Sequence, residues 1–256
     1  MAVPPFMHPF VLDVAPVERQ RLGIIDVHAD RLDAAAPRPA VVFVHGGPVP
    51  PEAHPRPRDW PTFLGYGALA AAYGLAGVTV EHRLHRVADY PAAAQDVASA
   101  VEQARGVPGV DPDRVALWFF SGGGPLATRW LAAPPPWLRC IALTYPLLVP
   151  PPGWADGAAD GSAGTVAEPP AAARLPILLT RVGREYPEAA RTQDVFLAAA
   201  RAARVAVDLI EVPGGQHSFD NLDHTDESRA AVTQAMTWVS GRLAGGEASS
   251  ASGSSS

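Results

Sequence analysis

The sequence has 256 residues, of which 48% are hydrophobic and 18% are charged, and its formal net charge is -6. This length is enough for one large hydrophobic core, so we expect a single domain. Nucleic-acid binding needs clustered cationic side chains, whereas the 20 basic residues, all arginines, are scattered along the chain. Nucleic acid is therefore not an expected partner.

Cys140, the only cysteine, lies in the apolar stretch CIAL, which excludes a disulfide framework and a cysteine-based metal site. The first residues, MAVPPFMHPF, have no basic n-region and are interrupted by prolines, which argues against a signal peptide. No stretch reaches the roughly 18 apolar residues that a membrane span requires. We therefore expect a soluble, cytoplasmic protein without a membrane partner.

Short apolar runs alternate with alanine-rich helical stretches along most of the chain. This alternation predicts the α/β class, with a mostly parallel central sheet and helices on both faces. Residues 10–14 and 21–29 follow each other without a helix and are expected to pair antiparallel at the sheet edge. The later strands are predicted over 40–45, 77–83, 114–120, 139–145, 176–182 and 205–212. The helices are predicted over 63–73, 91–105, 123–132, 188–203 and 226–244, the last capped by Thr225 or Asp226.

Residues 146–173 interrupt the alternation with a stretch rich in proline, glycine and alanine. The stretch is too long for an ordinary connection and too poor in periodic apolar residues for a domain. We expect a mobile flap over the ligand site, in which Trp154 closes on the substrate; a surface insert without contact to the site is the alternative. The expected domain spans residues 1–244, and the low-complexity tail 245–256 is expected to be disordered.

The predicted strand ends carry the chemically suggestive residues. Parallel α/β sheets bind ligands beyond the carboxyl ends of their strands, where this chain has HGGP, SGGG, GREYP and PGGQHSFD. In chain order these segments supply a glycine-rich loop, a serine, a carboxylate and a histidine. Serine becomes a nucleophile when an imidazole accepts its proton, and a carboxylate fixes the tautomer of that imidazole. The strand ends therefore contain the serine, the histidine and the carboxylate that an activated serine nucleophile requires.

The sequence resembles the α/β-hydrolase superfamily, in its dienelactone-hydrolase-like and esterase branch. The stretches that carry the resemblance span about residues 40–240, apart from the insert, and are VVFVHGGP, LAAAYGLAGVTVEHRL, YPAAAQDVASAV, GVDPDRVALWFFSGGG and PILLTRVGREYP with the later PGGQHSFD. The order serine, acid, histidine is the one expected of that fold. The resemblance implies Ser121 as the nucleophile, Glu185 as the triad acid and His217 as the general base.

Two positions depart from the pattern of that superfamily. The G-x-S-x-G turn has Gly two residues before the serine, and this chain has Phe119, which either crowds the turn or shapes the acyl pocket. Many esterases have a third glycine where this chain has Pro48, which lacks an N–H group. The backbone N–H groups of Gly47 and Gly122 are therefore expected to form the oxyanion hole.

Other histidines and carboxylates are weaker candidates. His45, His82 and His85 are expected to order the loops around the serine. His224 is the weaker alternative to His217 as the general base. Asp156 and Asp160 are the weaker alternatives to Glu185 as the triad acid. The sequence has no H-E-x-x-H motif, no cysteine pair, no P-loop lysine and no dinucleotide-binding fingerprint, so we expect neither a metal nor a cofactor.

The sequence thus predicts a serine hydrolase of carboxylesterase type, which cleaves a small carboxylic ester, or a lactone or thioester, through an acyl-enzyme intermediate. One alternative is an acyltransferase or biosynthetic enzyme that keeps the triad and shields the acyl-enzyme from water. The other is a catalytically inactive binding protein on the same scaffold. The sequence predicts neither the substrate's identity nor the oligomeric state.

Overall fold

The structure, a computed structural model, describes residues 3–148 and 175–245. Eight strands form one sheet in the order β1-β2-β4-β3-β5-β6-β7-β8. They are β1 (Arg19–Leu22), β2 (Ile25–His28), β3 (Arg38–Val44), β4 (Ala76–Val80), β5 (Val110–Phe120), β6 (Leu138–Thr144), β7 (Ile177–Arg184) and β8 (Val207–Gln216). The β1–β2 and β2–β4 pairs are antiparallel, and all pairs from β4 to β8 are parallel. The predicted α/β class with a mostly parallel sheet is confirmed.

Helices cover both faces of the sheet, as predicted. The α-helices of the described residues are α1 (Pro61–Ala72), α2 (Tyr90–Arg105), α3 (Thr128–Ala132), α4 (Pro187–Ala202), α5 (Phe219–Leu222) and α6 (Asp226–Ala244). Buried residues of α1 and α6 pack on one face of the sheet, and those of α2, α3 and α4 pack on the other. Because both faces are covered, the central strands are apolar on both sides.

The side chains of β5 alternate between these two layers. Leu117 and Phe119 belong to the layer under α2 and α3, whereas Trp118 and Phe120 belong to the layer under α1 and α6. All four are almost completely buried. Successive side chains of a strand point to opposite faces of its sheet, so neighbours in sequence meet different parts of the molecule.

The antiparallel pair at the sheet edge is present, but residues 10–14 are not one of its strands. β1 and β2 are the two arms of one hairpin, in which Leu22 pairs with Ile25 and Gly23 has a φ of 55°. Phe10 instead packs against the Tyr66 ring on α1, with ring centroids 4.8 Å apart. The apolar pattern of residues 10–14 therefore reflects burial against α1, and the predicted strand there was wrong.

The predicted helix over 123–132 is an α-helix only in its second half. Residues Ser121–Ala127 form a 3-10 helix, and α3 follows it. Three consecutive glycines are poor helix formers, and Pro125 offers no N–H for a helical hydrogen bond. The predicted cap of α6 is confirmed, because the Thr225 hydroxyl accepts from the Ser228 N–H at 3.1 Å.

The predicted flap and tail lie mostly outside the described residues. Of the stretch 146–173, the structure describes 146–148, and Trp154 is not included. The Leu147 N–H donates to the Ser121 carbonyl at 3.0 Å, so the chain leaves the sheet directly beside the serine. The tail is described only as far as Gly245. No helix in the described part of the chain has the length and apolar character needed to cross a membrane.

Candidate active site

Ser121 lies at the carboxyl end of β5, on a sharp turn between the strand and the 3-10 helix. Its φ is 50°, a left-handed conformation that costs a residue with a Cβ about 1–2 kcal/mol. The glycines that follow make the turn sterically possible. A Cβ on Gly122 would overlap the Gly47 carbonyl oxygen, and one on Gly123 would lie 2.6 Å from the His45 carbonyl oxygen. The SGGG segment is therefore required by the close approach of two backbone segments.

Phe119 does not line the candidate site, contrary to our expectation. Its side chain is completely buried on the opposite face of the sheet and packs against Trp130, with ring centroids 5.9 Å apart. The reason is the alternation along β5, which directs Phe120 and not Phe119 toward the serine's side of the sheet. Phe120 lines the cavity beside Ser121.

Ser121, His217 and Glu185 form one hydrogen-bonded chain. The Ser121 Oγ lies 2.7 Å from His217 Nε2, and His217 Nδ1 lies 2.7 Å from Glu185 Oε1. Glu185 directly follows β7 and His217 directly follows β8. A carboxylate accepts the proton on Nδ1, which leaves Nε2 as the acceptor for the serine hydroxyl. The three residues that the resemblance implied are thus arranged so that the imidazole can accept the serine proton.

The Glu185 carboxylate is held in a fixed orientation. Its side chain is 3% exposed, and Oε1 also accepts the backbone N–H of Tyr186 at 2.8 Å. Gln193 Nε2 lies 3.4 Å from Oε2 and donates to the Pro146 carbonyl at 3.0 Å. Donors on both oxygens limit the rotation of the carboxylate. Glu185 is therefore preorganised to orient the imidazole of His217.

The other histidines do not contact Ser121 through their ring nitrogens. His45 Nδ1 lies 2.6 Å from the Gly46 carbonyl, His82 Nε2 lies 3.1 Å from the His45 carbonyl, and His85 Nδ1 lies 2.9 Å from the Val49 carbonyl. These contacts order the glycine-rich loop, in agreement with expectation. His224 is exposed and outside the hydrogen-bonded chain, and Asp156 and Asp160 lie outside the described residues.

Burial keeps two of these histidines uncharged. Burial lowers the pKa of His82 to about 4 and the pKa of His45 well below the usual histidine value. His82 Nε2–H donates to the His45 carbonyl, and its Nδ1 accepts the Leu84 N–H at 3.4 Å, which defines a neutral tautomer. The backbone of the glycine-rich loop is thus contacted by two neutral imidazoles, those of His45 and His82.

Gly47 and Gly122, whose N–H groups are the predicted oxyanion-hole donors, lie on backbone segments that contact each other beside Ser121. Gly122 is the second residue of a 3-10 helix, and the first N–H groups of a helix have no partner within it. A Cβ on Gly122 would lie 3.2 Å from the Gly47 nitrogen, so the two backbones are in contact. The Tyr90 hydroxyl donates to the Gly122 carbonyl at 2.7 Å and restrains the next peptide, between Gly122 and Gly123. Whether both N–H groups receive an oxyanion stays a prediction.

A cavity of about 360 Å³ opens at Ser121 and His217. Its aromatic walls are formed by Phe6, Trp60, Phe63, Phe120 and Tyr145. Phe6 and Trp60 stack with centroids 4.8 Å apart and planes 26° apart. Walls of this kind suit an uncharged, apolar group of the ligand.

The N-terminal segment contributes to this cavity, which the sequence analysis did not foresee. Pro5 and Phe6 line it, and the Asn221 Nδ2 donates to the Pro5 carbonyl at 2.8 Å. No pattern in the first ten residues indicates this position. Tyr145 and Asp220 were missed as well, although Tyr145 directly follows β6 and Asp220 closes the HSFD segment. Applying the strand-end rule to β6 would have found Tyr145.

Comparisons with known proteins agree with this architecture. A family model described as BD-FAE matches residues 25–132. A thermostable esterase from Pseudomonas putida has a TM-score of 0.67 and 19% identity, over 91% of this chain and 85% of that one. The chain has the α/β-hydrolase fold. This fold accounts for the placement of Ser121, Glu185 and His217 after β5, β7 and β8.

Two further solved structures share the α/β-hydrolase fold with the chain. A thermostable carboxylesterase cloned from a metagenomic library has a TM-score of 0.67 and 19% identity, over 91% of this chain and 92% of that one. Esterase 2 of Thermogutta terrifontis, solved phosphoramylated by tabun, has a TM-score of 0.64 and 17% identity, over 91% and 95% of the two chains. No curated protein sequence matches the chain. At these identities the likeness concerns the fold, so the activity is argued from the site.

Proposed function

We propose that the protein is a serine hydrolase of carboxylesterase type, which cleaves a small carboxylic ester through an acyl-enzyme intermediate. The observation that carries the proposal is the hydrogen-bonded chain Ser121, His217 and Glu185 at the opening of an apolar cavity. The α/β-hydrolase fold, shared with structures described as esterases, supports the same activity. The order of the three residues along the chain is also the order found in that fold.

The first half of the reaction acylates the serine. Ser121 Oγ attacks the ester carbonyl carbon while His217 Nε2 takes the hydroxyl proton, and Glu185 stabilises the resulting imidazolium. The carbonyl oxygen becomes an oxyanion and accepts hydrogen bonds from the N–H groups of Gly47 and Gly122. When the tetrahedral intermediate collapses, the C–O bond to the leaving group breaks. The imidazolium returns its proton to the departing alkoxide, which leaves as the alcohol.

The second half of the reaction releases the acid. His217 Nε2 takes a proton from a water molecule, and the water oxygen attacks the acyl carbonyl carbon. The same two N–H groups stabilise the second oxyanion. Collapse breaks the bond to Ser121 Oγ, which receives the proton from the imidazolium, and the carboxylic acid leaves. A lactone reacts by the same steps, but its alcohol stays attached to the acyl group, and a thioester releases a thiol instead of an alcohol.

Hydrolysis of p-nitrophenyl acetate and butyrate by the wild type and by Ser121→Ala tests the proposal. We expect steady release of free acid by the wild type and loss of nearly all of it in the variant. A fluorophosphonate should label the wild type stoichiometrically at Ser121. The matched control is Ser99→Ala, since Ser99 is an exposed serine on α2, and this variant should hydrolyse and label like the wild type.

The same experiment separates the two alternative functions. Labelling of Ser121 without release of free acid, together with transfer of the acyl group to an added alcohol or thiol, would indicate an acyltransferase. An unlabelled wild type without turnover would indicate a binding protein. Either result would contradict the proposed hydrolase.

A further inference from the structure

Asp220 is a second buried carboxylate beside the candidate site, and the proposed mechanism does not use it. It lines the cavity on α5, three residues after His217, and it is 0% exposed. Its side-chain hydrogen-bond donors are two tyrosine hydroxyls rather than arginines, and its own backbone N–H also interacts with the carboxylate. The Tyr145 hydroxyl lies 2.8 Å from Oδ1 and 2.9 Å from Oδ2, and the Tyr66 hydroxyl donates to Oδ2 at 3.0 Å. Burial of a carboxylate without a cationic partner is unfavourable, so its position calls for an explanation.

Tyr145 connects this carboxylate to His217. The Tyr145 hydroxyl binds Asp220, and its ring lies against the His217 imidazole, with centroids 4.7 Å apart and planes 53° apart. Its backbone φ of 37° is a left-handed conformation, which a residue with a side chain adopts only when its surroundings hold it there. The hydrogen bonds to Asp220 are contacts that can hold it.

A second ring packs on the same imidazole. The Tyr186 ring centroid lies 5.0 Å from that of His217, but this side chain is 64% exposed. Tyr145, in contrast, is buried and anchored at its hydroxyl. Of the two rings that contact His217 in the described part of the chain, only the Tyr145 ring is therefore fixed by the interior of the protein.

We propose that Asp220 is a positioning residue: it anchors the Tyr145 hydroxyl, so that the Tyr145 ring holds the His217 imidazole between Ser121 and Glu185. The inference rests on the proposed hydrolase function. Proton transfer in that function requires the Nε2 and Nδ1 hydrogen bonds of one imidazole to be formed together. Small displacements of a reacting group lower the rate strongly, so a restrained imidazole raises kcat.

Tyr66 provides a matched control. It donates to the same Asp220 carboxylate from α1, but its ring packs against Phe10, Phe43, Trp118 and Phe120 instead of His217. Tyr66→Phe therefore removes one hydrogen bond from Asp220 and leaves the contact between Tyr145 and His217 in place. Tyr145→Phe keeps the ring that contacts His217 and removes the hydroxyl that hydrogen-bonds to Asp220.

The kinetic test compares ester hydrolysis by Asp220→Asn, Tyr145→Phe and Tyr66→Phe, each checked for folding by circular dichroism. We expect Asp220→Asn and Tyr145→Phe to lower kcat by about 10-fold or more, with KM within about twofold of the wild type. Tyr66→Phe should keep kcat within about twofold of the wild-type value, because loss of the Tyr66 hydroxyl affects the stability of the fold and not the position of the His217 imidazole. An equal loss of kcat in Tyr66→Phe and Tyr145→Phe, or a wild-type kcat in Asp220→Asn, would overturn the inference.

Proton NMR gives a second test that needs no substrate. The proton between His217 Nδ1 and Glu185 should give a resonance at low field, assigned by its absence in His217→Gln. We expect it to be sharp in the wild type and in Tyr66→Phe, and broadened or absent in Asp220→Asn and Tyr145→Phe. An unchanged resonance in the last two variants would contradict the inference. A wild type that shows the resonance and hydrolyses no ester would contradict the proposed function alone.

Discussion

The imidazole rings of His45 and His82 stack with their centroids 3.6 Å apart and their planes 13° apart. Both side chains are buried, and His45 Nε2 has no hydrogen-bond partner in the described part of the chain. Two imidazolium ions at this separation would repel each other in a poorly solvated environment. Because His45 directly precedes Gly46 and Gly47, the neutral stack supports the loop that faces Ser121.

The stack predicts that the protein loses stability in mild acid. A buried histidine whose pKa is lowered on folding binds its proton more readily in the unfolded chain, so its contribution is present above pH 6.5 and lost as the pH falls toward 4. Burial lowers the pKa of His28 and of His82 to about 4, and that of His45 in the same direction. The free energy of unfolding, measured with urea, should be lower at pH 4.5 than at pH 7.5.

His28→Gln is the control for this prediction, because His28 lies on β2, away from the site. The variant should reduce the difference between the free energies of unfolding at pH 7.5 and pH 4.5 by about 2–3 kcal/mol. Asp220 acts with the opposite sign, since burial raises its pKa to about 6 and it therefore favours the folded state as the pH falls from 6 toward 4. The same pH dependence of the unfolding free energy in His28→Gln and in the wild type would contradict the prediction.

Phe119 and Phe120 should differ in their effect on substrate choice, although they are neighbours in sequence. Phe120 lines the cavity and Phe119 packs on Trp130 across the sheet. Phe120→Leu should change the ratio of kcat/KM for butyrate and acetate esters several-fold, because it alters the volume available to the acyl chain. Phe119→Leu should leave the ratio unchanged and lower the free energy of unfolding by about 1 kcal/mol. A changed ratio in Phe119→Leu would contradict the assigned faces of β5.

Gly122→Ala should abolish activity, and Gly241→Ala should not. A Cβ on Gly122 would overlap the Gly47 carbonyl oxygen, so the two backbone segments must separate and the paired N–H groups with them. Gly241 lies on α6 with no atom within 4 Å of an added Cβ, and alanine there should stabilise the protein by about 0.5–1 kcal/mol. Activity assays and thermal unfolding of both variants check the pair. An active Gly122→Ala would rule out a role for close packing between these two segments.

Glu185→Gln should be impaired less than Ser121→Ala. The amide keeps the size of the side chain but no longer stabilises an imidazolium, and removal of a triad acid lowers kcat by about 10⁴-fold in well-studied serine hydrolases. More residual hydrolysis should persist than in Ser121→Ala because the Ser121 hydroxyl and the His217 imidazole both remain. Rates of p-nitrophenyl acetate hydrolysis for both variants provide the comparison. Identical rates in the two variants would mean that the loss of Glu185 is as damaging as the loss of Ser121, which would contradict this prediction.

The parts of the fold that were predictable from sequence are those with a local cause. Buried parallel strands are apolar along their whole length, so β3, β5, β6 and β7 could be recognised from composition. The resemblance to the α/β-hydrolase superfamily selected Ser121, Glu185 and His217 at predicted strand ends, and the structure brings them within hydrogen-bond distance. These features depend on one segment at a time.

The parts that were missed depend on contacts between distant segments. Residues 10–14 have the composition of a strand, yet Phe10 is buried against Tyr66, and no strand within residues 3–148 and 175–245 pairs with this stretch. Phe119 was assigned to the pocket from its distance to the serine in sequence, which ignores the alternation of faces along β5. Asp220 meets Tyr66 across 154 positions of the chain, and a single sequence carries no sign of that contact. The flap at 146–173 and the single-domain organisation stay predictions.

The position of Pro5 and Phe6 in the cavity wall has a practical consequence for handling the protein. An affinity tag joined to Met1 would begin only a few residues from Pro5 and from the Phe6–Trp60 stack, which line the cavity. The opposite end is safer, because α6 starts just after the cavity-lining Leu222 and its 19 residues carry the chain about 28 Å along its axis. Proteolytic trimming before residue 7 would similarly remove one wall of the cavity beside Ser121 and His217. Activity that varies between differently tagged preparations would then reflect the start of the chain and not the state of Ser121.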